Sequence, residues 1–71
     1  MNGYAVIIEG DGNAYSAYAP DLPGCVAAGS SPAEVEQLMR EAIRLHIESL
    51  RAHGEPVPPP SAAAATVVDA V

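Results

Sequence analysis

Two strand-like runs face each other near the start of the chain. Tyr4-Ala5-Val6-Ile7-Ile8-Glu9 is aromatic and β-branched, as strands are, and Ala14-Tyr15-Ser16-Ala17-Tyr18 reads as its return. Gly10-Asp11-Gly12-Asn13 lies between them, a cluster that takes up positive φ readily and marks a turn. Residues 3–19 therefore predict a β-hairpin. A two-residue loop at Asp11-Gly12 and a four-residue loop give one register, with Glu9 opposite Ala14, Ile8 opposite Tyr15 and Ile7 opposite Ser16. One face then carries Tyr4, Val6, Ile8, Tyr15 and Ala17 and makes the better core. The other carries Ala5, Ile7, Glu9, Ala14, Ser16 and Tyr18. Such a half-apolar second face is unusual for a surface left in water and points to a partner.

Ala19-Pro20-Asp21-Leu22-Pro23-Gly24 has too much Pro and Gly for a central strand and reads as a loop. Cys25 to Ala28 is short and apolar, a third strand closed by Gly29. Ser31-Pro32-Ala33-Glu34 is a helix start, with Ser31 as cap, Pro32 in the first helical position and Glu34 completing a capping box. The helix is expected from Pro32 to about His53, with Gly54 as its stop. At 100° per residue Val35, Leu38, Met39, Ala42, Ile43, His46, Ile47 and Leu50 share one broad face. Arg40, Arg44 and Arg51 lie opposite, where Glu36–Arg40, Arg44–Glu48 and Glu48–Arg51 form weak pairs. Glu55-Pro56-Val57-Pro58-Pro59-Pro60 is an extended, polyproline-like exit. Thr66-Val67-Val68 reads as a last strand within 65–70. The order β-β-β-α-β gives an α+β domain, one helix packed on an antiparallel-rich sheet.

Composition narrows the classes. A chain of 71 residues holds one domain, here residues 1–71, with a thin core that gains from self-association or a partner. Apolar residues are 49% and charged residues 17%, so the chain is not a disordered acidic tail. Lacking Phe and Trp, the core must be aliphatic. Three Lys+Arg, all Arg, face nine Asp+Glu for a net charge of −6, which disfavours direct nucleic-acid binding and favours basic partners. A lone Cys25 fits a reducing compartment. The N-terminus lacks a signal peptide's basic start, and no apolar run nears the roughly 20 residues of a membrane span. A cytoplasmic protein is expected.

The residues that could carry chemistry are few. His46 sits in the apolar helix stripe, where a core histidine is the simpler reading. His53 lies two turns on, roughly 10.5 Å away and too far to share one zinc ion. Cys25, His46 and Asp21 could form a Cys-His-Asp set, but no nucleophile signature surrounds Cys25, and a free Cys usually packs as a small hydrophobe. The carboxylates do not cluster, Gly10-Asp11-Gly12 is a hairpin turn rather than a phosphate loop, and the Arg stripe is interleaved with Glu. No cofactor, metal site or catalysis is expected. The residues alone describe a small acidic interaction module.

The run Tyr18-Ala19-Pro20-Asp21-Leu22-Pro23-Gly24-Cys25 follows a hairpin. It precedes Gly29-Ser30-Ser31-Pro32-Ala33-Glu34 and a helix leaving through His53-Gly54-Glu55-Pro56-Val57-Pro58-Pro59-Pro60. This arrangement resembles the HicB family of antitoxins, the UPF0150 group. Pro20 to Cys25 match the family's loop position by position, and Gly54, Glu55, Pro56, Pro58 and Pro60 match its exit. The resemblance spans residues 3–70, the family's N-terminal domain. It implies a partial RNase H-like fold without the catalytic carboxylates. It also implies a small basic HicA-type toxin as partner, an mRNA-cleaving protein that the antitoxin neutralises by covering its active site. Homodimers or tetramers are implied as well. Many members add a C-terminal DNA-binding domain; here the sequence stops at Val71, and direct operator contact is not expected. Ser30-Ser31 stands where the family has another polar pair.

Ile7, Tyr18, Asp21, Leu22 and Val67 are the residues expected at a partner or dimer interface. Pro20, Pro23, Gly24, Ser31 and Gly54 are expected to shape the loop and the helix caps. The alternative function is an orphan HicB-like domain serving as a homo-oligomeric scaffold or small-ligand binder.

Overall fold

The structure, a computed structural model, describes residues 3–61. Strands β1 (Ile7–Gly10), β2 (Tyr15–Tyr18) and β3 (Val26–Gly29) precede a single helix, α1 (Pro32–Ala52). The strands form one antiparallel sheet in the order β1-β2-β3. This is the expected α+β arrangement. The last strand expected within 65–70, and Val67 with it, lie outside the described residues.

The hairpin register differs from the expected one by two places. Ile7 faces Tyr18, Ile8 faces Ala17, Glu9 faces Ser16 and Gly10 faces Tyr15. The cause is the turn. The Asp11 carboxylate accepts the N–H groups of Asn13 at 2.9 Å and Ala14 at 3.0 Å, and Gly12 takes φ +96°. Ala14 is thereby drawn into a four-residue loop, Asp11–Ala14, and Gly10–Tyr15 becomes the closing pair. Side chains alternate with period two, so a two-place shift leaves both faces as assigned. Gly10 fits this register because it has no side chain. A Cβ there would run into the Tyr15 ring and the Ala14 carbonyl oxygen.

The inner face meets α1. Ala17, Ala19, Leu22 and Cys25 are buried with Val35 and Met39 of the helix, and Tyr4, Val6, Tyr15, Ala27, Ala42 and Ile43 pack around them. Ile8 belongs to the inner face yet is 39% exposed, and Leu38, expected inward, is 42% exposed. The stripe that packs is narrower than the stripe of apolar residues.

Both helix ends follow the sequence. Ser31 is extended (φ −148°, ψ 156°), and its Oγ accepts the Glu34 N–H at 3.1 Å. The Glu34 carboxylate reaches back to the N–H of Ser30 at 2.6 Å, one residue before the usual capping-box partner. At the other end Gly54 takes φ +69° and donates to the Arg51 carbonyl at 3.1 Å. On the outer surface Arg40 pairs with Glu36 at 3.0 Å, and Arg44 spans Glu41 and Glu48, so Glu48 is engaged by Arg44 rather than Arg51. Exposed ion pairs of this kind are screened by solvent and add little to stability.

Candidate interaction site

The Pro-rich loop is a built element. Leu22 N–H donates to the Ala19 carbonyl at 3.1 Å, Cys25 N–H to the Leu22 carbonyl at 3.0 Å, and Ala19 N–H to the Cys25 carbonyl at 3.3 Å. Gly24 makes the bend at φ +85°, where a side chain is strained, while Pro20 and Pro23 lie on the exposed rim. These bonds turn Leu22 inward until none of it is exposed. Leu22 is therefore a core anchor and has no surface to offer a partner, contrary to its expected interface place.

Asp21 has a specific structural role. Its Oδ2 accepts the Ser61 N–H at 2.8 Å, and its Oδ1 accepts the Ser61 hydroxyl. The loop thus holds the chain leaving the polyproline exit, and Tyr4 assists by donating its hydroxyl to the Pro58 carbonyl. Asp21→Ala is expected to lower the unfolding free energy by about 1 kcal/mol. Asp21→Asn should cost less, because its amide oxygen still accepts one of the two bonds. Urea titrations of both variants check this; an Asp21→Ala midpoint equal to wild type would mean the clasp adds nothing.

Cys25 is buried at 3% exposure, and burial pushes its thiol up from the ordinary cysteine range. Both properties disfavour the thiolate that a nucleophile in a Cys25-His46-Asp21 set would need. His46 is half-buried on the helix. His53 caps α1, its Nδ1 lying 2.7 Å from the Ser49 carbonyl oxygen.

The outer sheet face is different in character. Ile7 lies opposite Tyr18, and Tyr18 opposite Val26, so the three form one apolar row across all three strands. Ile7 is half-buried, Tyr18 is 41% exposed and Val26 is 63% exposed. Val26 is a residue the sequence reading passed over. The signal was present: once Cys25 points inward, alternation turns Val26 outward, beside Tyr18. The next row, Glu9–Ser16–Ala28, is exposed throughout. Beside it an open trough of about 440 Å³ is lined by Glu9, Asp11, Tyr15, Ser16 and Ala28, among others. The Asn13 and Ala14 N–H groups hold the Asp11 carboxyl below the usual carboxylate range, so it stays ionised at neutral pH.

A family model described as HicB-like antitoxin of bacterial toxin–antitoxin system matches residues 4–70. The chain belongs to the HicB-like antitoxin family. A UPF0150 protein of Thermoplasma acidophilum is 42% identical over 65 residues, covering 90% of this chain and 94% of that protein. A UPF0150 protein of Synechocystis is 43% identical over 56 residues, covering 78% of this chain and 71% of that one. Among solved structures, a chain of the HicA3 and HicB3 toxin–antitoxin complex superposes with a TM-score of 0.68 at 34% identity, over 80% of this chain and 67% of that one. Membership of the HicB-like family gives the loop and the exit a common setting, since both fall inside the matched residues. Among the described residues no helix is long and apolar enough to cross a membrane.

Proposed function

We propose that this HicB-like chain is an antitoxin that binds a small basic HicA-type toxin and neutralises its mRNA cleavage by covering the active site. The observation that carries the reading is the likeness, at 34% identity, to a chain of the HicA3 and HicB3 complex. The physical properties suit it. A net charge of −6 draws a basic RNA-binding protein and competes with RNA for the same positive surface. The exposed apolar row on the sheet suits burial against a protein, and a thin core gains stability from the association. The reading places the chain in the cytoplasm, acting by binding rather than catalysis, as a homodimer or tetramer.

Calorimetric titration with the small basic protein encoded by the adjacent gene tests it. A saturable complex with Kd at or below about 1 µM is expected. A chain that self-associates yet gives no heat with that protein would instead be a scaffold domain without a toxin.

A further inference from the structure

Charge is unevenly placed on this molecule. All three arginines lie on α1, where Arg40 and Arg44 are already engaged by Glu36, Glu41 and Glu48. Residues 3–29, which make the three described strands and their connections, carry Glu9, Asp11 and Asp21 and not one Lys, Arg or His. The helix surface is thus largely paired within itself, while the described strands and their hairpin turn carry Glu9 and Asp11 and no cationic residue. The exposed apolar row and the open trough lie on this same sheet.

We propose that the outer face of the sheet is the docking surface for the basic partner. Apolar residues of that partner cover the Ile7–Tyr18–Val26 row, and one of its Arg or Lys side chains enters the trough beside Glu9 and Asp11. The inference rests on the antitoxin reading above. The trough suits such a side chain because the carboxylates of Glu9 and Asp11 attract a cation, and arginine pairs with carboxylates through its planar fork. A second copy of the chain fits this face poorly. It would bring two cation-free acidic surfaces together, and like charges across an interface are repulsive. Leu38 and Leu45 of α1 are also exposed, at 42% and 51%. They lie among ion pairs that already satisfy one another and exert little pull on a charged partner.

The test is an amide NMR titration of the labelled full chain with the adjacent gene's basic protein, together with affinities of three variants. Shifts are expected at residues 7–10, 15–18 and 26–29. Glu9→Lys and Tyr18→Lys should each weaken binding by at least about tenfold, and Leu45→Lys should change it by less than about threefold. Amide dispersion of each variant verifies that it is folded, and the wild-type shift map decides the question should Tyr18→Lys not fold. Shifts confined to α1, with Leu45→Lys the damaging change, would overturn the assignment while leaving the antitoxin reading intact. So would a Tyr18→Lys protein that loses self-association but keeps its affinity for the partner, since a second copy would then own the face. A wild-type chain that produces no shifts at all would remove the antitoxin reading and this surface with it.

Discussion

Leu22→Ala is expected to lower the free energy of unfolding by about 3 kcal/mol, the middle of the range for a buried leucine reduced to alanine. Leu22 has no exposed surface, and the fully buried side chains beside it in size are Met39 and Val35. The rest of the buried cluster is Ala17, Ala19 and Cys25, small residues that cannot move in to fill a leucine-sized hole. Domains of this length have a total stability of about 4–10 kcal/mol, so the loss is a large share of it. Urea unfolding followed by far-UV circular dichroism measures it. A midpoint within error of wild type would show that Leu22 is not the anchor its burial indicates.

Gly24→Val is expected to cost about 2 kcal/mol by a different route. Nothing lies within 4 Å of where its Cβ would be, so space is not the obstacle. The obstacle is φ +85°, a backbone conformation a β-branched residue adopts only under strain. The strain would fall on the bend that sets the three loop hydrogen bonds and aims Leu22 inward. Gly24→Asn should cost distinctly less, because asparagine tolerates positive φ. Thermal melts should show Gly24→Val more damaging than Asp21→Ala and less damaging than Leu22→Ala. Equal stability of Gly24→Val and wild type, or equal damage from Asn and Val, would contradict the conformational explanation.

What the sequence revealed, and what it concealed, follows the range of the interactions involved. The hairpin faces were readable because period-two alternation needs no knowledge of register. The register itself depended on Asp11 capturing two backbone N–H groups, which moved the closing pair from Glu9–Ala14 to Gly10–Tyr15. Ser31, Pro32 and Gly54 marked the helix ends because capping is decided within one turn of chain. Leu22 was misjudged since proline and glycine neighbours suggest an exposed loop, whereas the loop's own hydrogen bonds turn it into the core. Asp21 found its partner 40 residues away in Ser61, beyond anything local pattern can indicate. Leu38 belonged to the apolar stripe, but the three described strands leave it 42% exposed. On the outer face Ile7 and Tyr18 were picked out by alternation, and Val26 joins them only once β3 is set beside β2.

The proposed function and the proposed docking surface both call for one activity, protection of RNA from a basic partner. The decisive measurement is RNA cleavage by the adjacent gene's purified protein, with this chain added in increasing amount. Cleavage is expected to fall to background near one chain per toxin molecule, and Glu9→Lys should need a clear excess to achieve the same. Undiminished cleavage in the presence of excess folded chain would contradict the antitoxin function outright.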